Sequence, residues 1–270
     1  MTAVRIDGAT RLYAIVGDPI AQVRSPSVFT EAFATRGANA IMFPAQIAPD
    51  RFDTVFPALK ALGNLDGLLI TVPFKARAVP HATRLGATAQ CIGALNALRR
   101  EADGTWTGDM FDGAGFVRAA QRKGQRVAGR RVAIFGAGGA GSAIACALAE
   151  AGVASIALID PQAGRAAALA QRLRPAFPGC RFAEATAPPA DADMVVNAST
   201  IGMKPGDGMP ADLGPLAPDT LVGDVIIADG PTAILRHAQA CGCAWVNGRD
   251  MHAGQAEAIV SFFDPAARDL

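Results

Sequence analysis

Residues 130–160 read RRVAIFGAGGAGSAIACALAEAGVASIALID, and this stretch narrows the choice of folds further than any other. Four apolar residues at 132–135, the length of a short buried strand, run directly into Gly136, Gly138, Gly139 and Gly141. Small residues then continue at helical length to Glu150. This is G-x-G-x-x-G between a strand and a helix, the dinucleotide-binding fingerprint. Gly136 permits the tight turn, Gly138 lets the backbone approach a pyrophosphate, and Gly141 lets helix and strand pack closely, while the helix N-terminus offers amide donors. Glycines also recur in loops for local reasons, so the flanking elements carry the reading. A second apolar run at 155–159 ends in Asp160, about the twenty residues beyond the glycines that the fingerprint asks for.

Asp160 also bears on the choice of nucleotide. A carboxylate at this strand end accepts hydrogen bonds from ribose hydroxyls and repels an extra phosphate, so NAD is favoured over NADP. Pro161 and Gln162 follow, and the nearest arginine, Arg165, stands a turn further on. The alternative is that Asp160 merely caps a helix beginning near Gln162.

Elsewhere short apolar runs alternate with helix-length stretches, the pattern of an α/β protein with parallel sheets. Before the glycines the pattern predicts strands at 13–17, 40–44, 67–72 and 93–99, with helices at 26–36, 51–62 and 74–85. The stretch DGLLITVPFKARA breaks its apolar run at Pro73 and delivers Lys75 two residues later, which by itself fits a snorkelling lysine on a first helical turn. After GDMFDGAGF a helix is expected to about Lys123, and the second alternating series follows.

At 270 residues and 51% apolar content, two domains with ample core are expected. A net charge of +1 with only 18% charged residues leaves no electrostatic footprint for nucleic acid or an anionic membrane. No window approaches eighteen uninterrupted apolar residues, and MTAVRIDGATR lacks the apolar centre of a signal peptide, so the expected location is cytoplasmic. The five scattered cysteines argue against a disulfide framework. Cys241-Gly-Cys243 has no second cysteine pair nearby and the chain holds three histidines, so no metal site is expected.

Five further motifs, in order, resemble the shikimate dehydrogenase family over nearly the whole chain. GDPIAQVRSP at 17–26 is similar to its Gly-x-Pro-Ile and Ser-x-Ser-Pro segment, and Thr71-Val-Pro-Phe-Lys75 to its Thr-x-Pro-Phe-Lys. Gly93-Ala-Leu-Asn96, Asp112-Gly113 and the closing GRDMHAGQAEAIVSFF with Met251 and Gln255 complete the set. The resemblance implies two α/β domains: a substrate domain at 1–105 completed by a C-terminal helix at 240–270, and a Rossmann nucleotide domain at 106–239, with the active site in the cleft between them. It implies an NAD(P)-dependent oxidoreductase acting on a secondary hydroxyl of shikimate, quinate or a related cyclic polyol, in aromatic amino-acid biosynthesis, quinate breakdown or a specialised pathway. Monomer and homodimer both fit.

By the same resemblance Lys75 and Asp112 form the catalytic pair, Lys75 transferring the hydroxyl proton and Asp112 orienting it. Ser25, Thr71, Asn96 and Gln255 fall where the family's substrate ligands lie. Each also has an ordinary reading: Ser25 as a helix cap, Thr71 as a strand residue, Asn96 as a turn former and Gln255 as a solvated helix position. Several positions depart from the family. Val23 replaces the first serine of the pair, Leu69 an asparagine, Met110-Phe111 an Asn-Thr, and Ile227 a tyrosine. The family's paired serines and that tyrosine hold a substrate carboxylate, and a buried carboxylate without donors costs several kcal/mol. Either Arg24, Arg249 or His252 replaces those donors, or the substrate differs. Rival readings are a non-catalytic NAD-binding sensor, which has no need of the pair Lys75 and Asp112, and a different two-domain NAD enzyme such as a folate-linked dehydrogenase, which does not account for the ordered set from Gly17 to Gln255.

Overall fold

The computed structural model describes residues 6–204 and 206–264. Among them the chain divides into two compact units, one formed by the residues up to Phe111 together with those from Ala256 onward, the other by Asp112–Gln255.

The first unit runs β1 (Arg11–Gly17), α1 (Ser25–Thr35), β2 (Ala40–Gln46), α2 (Phe52–Lys60), β3 (Leu65–Ile70), β4 (Arg84–Leu85), α3 (Ala87–Ile92), β5 (Ala97–Arg100) and β6 (Trp106–Asp109). Its sheet has the order β2-β1-β3-β5-β6-β4. β1 pairs in parallel with β2 and β3, and its last five residues are all buried, as a strand covered on both faces requires. Tyr13 lies against Phe33 and Phe263, with ring centroids 4.4 and 5.1 Å away, and this aromatic group anchors the core. Gly67 is where that packing is tightest, since a Cβ there would come within 2.7 Å of Tyr13 and 2.8 Å of Phe263.

Two expectations fail in this unit. The sheet is mixed, because β3 pairs antiparallel with β5 and β5 antiparallel with β6. Asp103-Gly104 makes the turn: the Asp103 carboxylate accepts from the Thr105 amide, and Gly104 takes φ +80°, a conformation that suits glycine. Nor does 74–85 form an α-helix. One helical turn closes, with Ala78 N–H donating to the Phe74 carbonyl, and then a short 3-10 turn spans Val79–His81. Pro80 has no amide to donate and its ring crowds the preceding turn, so the helix stops.

The second unit runs α4 (Asp112–Arg122), β7 (Arg131–Phe135), α5 (Gly139–Glu150), β8 (Ser155–Ile159), α6 (Arg165–Leu173), β9 (Arg181–Glu184), β10 (Met194–Asn197), β11 (Leu221–Asp224), α7 (Ala233–Ala240), β12 (Ala244–Val246) and α8 (Gly248–Phe263). Every recorded pairing is parallel, in the order β12-β11-β10-β7-β8-β9. This is the doubly wound dinucleotide-binding order, and the order in which strands are added reverses between β7 and β10, the switch point at which such sheets take their ligands. The unit boundary at Gln255 falls inside α8, whose later residues Ile259, Val260 and Phe263 belong to the first unit's core.

Among the described residues no helix is long and apolar enough to cross a membrane, and no group of three or more His, Cys, Asp or Glu is placed to hold a metal ion. The cysteines are free thiols; Cys146, Cys180 and Cys243 are buried.

Candidate active site

In the first unit, β3 stops where Pro73 removes an amide, but Thr71 N–H still bonds the Val16 carbonyl at 2.9 Å and so keeps the chain on β1. Phe74 is fully buried, stacked on Phe52 at 4.3 Å, and Phe52 stacks in turn on Phe56 at 4.6 Å. With its neighbour seated in that stack, Lys75 is half-buried, and its carbonyl accepts from the Leu95 amide at 3.0 Å. The Asn96 carbonyl accepts from Ile70 N–H at 2.8 Å, and its side-chain oxygen accepts from the Phe111 amide at 2.9 Å. Thr71, Lys75 and Asn96 are thereby brought to one edge of the sheet. Asn96 is a buried chain organiser whatever else it does.

Ser25 is the first residue of α1 rather than its cap, and it is buried, whereas Arg24 before it is exposed. The altered positions are apolar in fact as well as in type. Leu69 lies in the aromatic core, and Val23, Ile20, Phe111 and Phe262 pack against it, with Phe111 and Phe262 centroids 5.2 Å apart. Met110 is buried.

In the second unit Asp112 opens α4, where a helix N-terminus favours a carboxylate, and is only 3% exposed. Glycines fix the crossing of α4 with α8: a Cβ on Gly115 would lie 2.6 Å from the Met251 carbonyl oxygen and 2.8 Å from Gln255 Cβ. That close approach buries Gln255, so it is not a solvated helix position. It also brings His252 under the influence of Asp112. Burial lowers the His252 imidazole from its usual range, and the Asp112 carboxylate pulls it back up. Arg249 pairs with Asp229 at 2.8 Å, and Ile227 is half-buried in the loop after β11.

The glycine loop fits a pyrophosphate on the evidence of its own backbone. Gly136 takes φ +95°, and a Cβ there would stand 2.7 Å from the Ala198 carbonyl oxygen; one at Gly141 would run into the Gly136 carbonyl. Gly138 is the N-cap of α5, with nothing within 4 Å of where its Cβ would be, and Gly139 begins the helix. Two closely packed glycines thus shape the turn and the third faces open space, as the fingerprint requires.

Asp160 does not present itself as a ribose acceptor. Its Oδ2 accepts from Ala137 N–H at 2.8 Å and its Oδ1 from Gln162 N–H at 2.9 Å, and its side chain is 3% exposed. Arg165 lies 3.5 Å from Oδ2 and also bonds Gln162. A carboxylate so engaged ties the glycine loop to the next turn, and the guanidinium beside it reduces its repulsion of a phosphate.

Family models match both parts of the chain: the "Shikimate dehydrogenase substrate binding domain" over residues 15–98 and "Shikimate / quinate 5-dehydrogenase" over residues 118–203. A relative from Rubrobacter xylanophilus, named shikimate dehydrogenase (NADP(+)), is 35% identical over 258 residues, covering 93% of this chain and 89% of its own. The chain belongs to the shikimate dehydrogenase family. It is an NAD(P)-dependent oxidoreductase acting on a CH–OH group. Among solved structures, Listeria monocytogenes shikimate 5-dehydrogenase in complex with shikimate and NAD has a TM-score of 0.85 at 27% identity, covering 96% of this chain and 93% of its own. The 5-ketofructose reductase of Gluconobacter sp. strain CHM43 has a TM-score of 0.80 at 28% identity, covering 94% and 92%.

Membership corrects the cofactor expectation. The Rubrobacter relative and three more at 32–35% identity are all named for NADP(+), which points away from a preference for NAD. The physical reason is the orientation of Asp160: the spacing that suggested a ribose acceptor belongs here to a carboxylate occupied by backbone amides.

Sequence motifs do not single out the polar residues that end two buried strands, Asn197 on β10 and Asp224 on β11. The signal available was a lone polar residue closing each apolar run.

Proposed function

We propose that this dehydrogenase interconverts a secondary hydroxyl and a ketone on shikimate or a related cyclic polyol, using NADP, with Lys75 and Asp112 handling the proton. The observation that supports the pair is how firmly each is seated: Lys75 beside the buried Phe74 stack, Asp112 buried at the start of α4. The first unit would hold the substrate, and Gly136, Gly138, Gly139 and Gly141 would hold the pyrophosphate. The dinucleotide, when bound, accepts or supplies the hydride. Lys75 takes the hydroxyl proton during oxidation and returns it during reduction. Asp112 orients the ammonium and bonds the substrate hydroxyl. Ser25, Thr71, Asn96 and Gln255 supply uncharged hydrogen-bonding groups suited to a polyhydroxylated ring. Arg165 supplies the positive charge that the additional phosphate of NADP needs.

Specificity in this reading has shifted toward substrates whose carboxylate is modified or absent. Val23, Leu69, Met110, Phe111 and Ile227 are apolar where the family resemblance implies polar groups. The Gluconobacter neighbour supports this, because 5-ketofructose is a sugar without a carboxylate.

The test is initial-rate NADP+ reduction with shikimate, quinate and neutral cyclic polyols, and NADPH oxidation with neutral keto-sugars, each beside Lys75→Ala. Loss of a general acid–base group predicts a fall of about 10²- to 10⁴-fold in kcat. Turnover that survives in Lys75→Ala would remove the lysine from the chemistry, and brisk use of shikimate over every neutral compound would remove the shift in specificity.

A further inference from the structure

We infer that Asp224 is a positioning residue that locks the loops after β10 and β11 to the glycine loop, so that dinucleotide affinity depends on it. The inference rests on the reading of the second unit as the dinucleotide-binding one. Asp224 ends β11 directly opposite Asn197 at the end of β10, and Asn197 lies opposite Phe135 at the end of β7. These are the carboxyl ends of the strands beside the switch point, where an open α/β sheet receives its ligand.

Both carboxylate oxygens are engaged, and Asp224 is 1% exposed. Oδ1 accepts from Asn197 Nδ2 and from Ile226 N–H, each at 3.1 Å, and Oδ2 accepts from the Thr232 hydroxyl. Asn197 carries the link into its own loop. Its amide also donates to the Ile201 carbonyl at 2.9 Å, and its side-chain oxygen accepts from the Ser199 hydroxyl at 2.6 Å. Ala198, between these two, lies against the glycine loop, since its carbonyl oxygen would be 2.7 Å from a Cβ on Gly136. At the far end, Ile226 sits under the start of α8, where its carbonyl oxygen would be 2.7 Å from a Cβ on Gly248. One carboxylate thus joins the loops after β10 and β11, which pack in turn against the glycine loop through Ala198 and against the start of α8 through Ile226. Burial pushes its pKa up while the Thr232, Ile226 and Asn197 donors pull it down. A group so enclosed, with neutral donors as its partners among the described residues, acts by geometry rather than as an exposed charge.

The test is NADPH fluorescence titration of the full chain, with amide hydrogen exchange across 198–203 and 225–232 in the ligand-free protein. Asp224→Ala should weaken NADPH binding by about tenfold or more and speed exchange in both loops, because several donors lose their acceptor together. Asp224→Asn keeps an oxygen for Asn197 and Ile226 and offers the Thr232 hydroxyl a donor in place of an acceptor, so binding should stay within about threefold of the parent. Thr232→Val should weaken binding and Thr232→Ser restore it. An unchanged affinity in Asp224→Ala, or an Asp224→Asn as damaged as Asp224→Ala, overturns the inference. If Asp224→Ala does not fold, the Thr232 pair decides, and equal affinities for valine and serine overturn it. A parent chain that binds neither NADPH nor NADH defeats the dinucleotide reading instead, and the exchange data alone then decide whether Asp224 holds the loops.

Discussion

The two six-stranded sheets hold their carboxyl-edge loops by different means. In the second unit the fastening is polar: Asp160 ties the glycine loop to the next turn, and Asp224 ties the loops after β10 and β11 to one another. In the first, where Asn96 takes the Phe111 amide, the loop that carries Lys75 is held instead by aromatic rings. Phe74 stacks on Phe52 and Phe52 on Phe56, the Arg77 guanidinium lies 4.8 Å over Phe52, and His81 meets Phe56 edge-on at 4.9 Å. The difference suits the groups being presented. A loop that receives phosphate must keep its amides aligned, which acceptors behind it accomplish. A loop that presents one lysine gains from a neighbour that brings no carboxylate of its own.

Breaking the aromatic fastening should have the larger effect on stability. Phe74→Ala is expected to lower unfolding free energy by about 3–5 kcal/mol, measured by denaturant titration, because it removes a fully buried ring and leaves a cavity. A loss under about 1 kcal/mol would mean that the stack collapses without cost and anchors nothing. Removing the polar fastening should cost less. Asp160→Ala leaves the Ala137 and Gln162 amides without their acceptor, for about 1–3 kcal/mol by the same titration, and should loosen NADPH binding as the glycine loop frays.

The aromatic fastening includes a group that responds to acid. Burial, with Lys60 adding to it and Asp53 opposing, lowers the His81 pKa below its usual value. A histidine depressed on folding contributes stability above its unfolded pKa of about 6.5 that is lost as pH falls through the folded value. Melting temperature should therefore decline on acidification below about pH 6.5, and His81→Asn should flatten that decline. An identical profile in the variant would show that the ring stack tolerates the charge. The smallest structural effect is expected at Gly138→Ala, since nothing lies within 4 Å of the added methyl. Stability should hold within about 1 kcal/mol while NADPH affinity falls, and equal affinity would place the pyrophosphate elsewhere.

The second unit was the more legible from sequence, for the same reason that it is regular. Each βα repeat writes a buried run followed by a helix, and 155–159 coincides with β8. The first unit contains a hairpin built of two four-residue strands, too short for periodicity to resolve, although Asp103-Gly104 marked its turn. The strand expected from Gly93 begins only at Ala97, because Gly93 ends α3 at φ +67°. The site was legible as a set of residue types, and less so as a set of partners. Spacing located Asp160 but not the amides it faces. Asn197 and Asp224 are 27 residues apart and meet only because β10 and β11 lie side by side.

The boundary inside α8 has a consequence for how the protein is made. Phe263 packs against Tyr13 and lies 6.3 Å from Phe29, so the first unit's aromatic core draws on residues separated by almost the whole chain. Domains commonly fold in the order in which they leave the ribosome. Here the contacts favour the reverse order: Asp112–Gln255 is continuous, whereas the core of the segment translated before it includes Ile259, Val260 and Phe263 and is incomplete until they have been made.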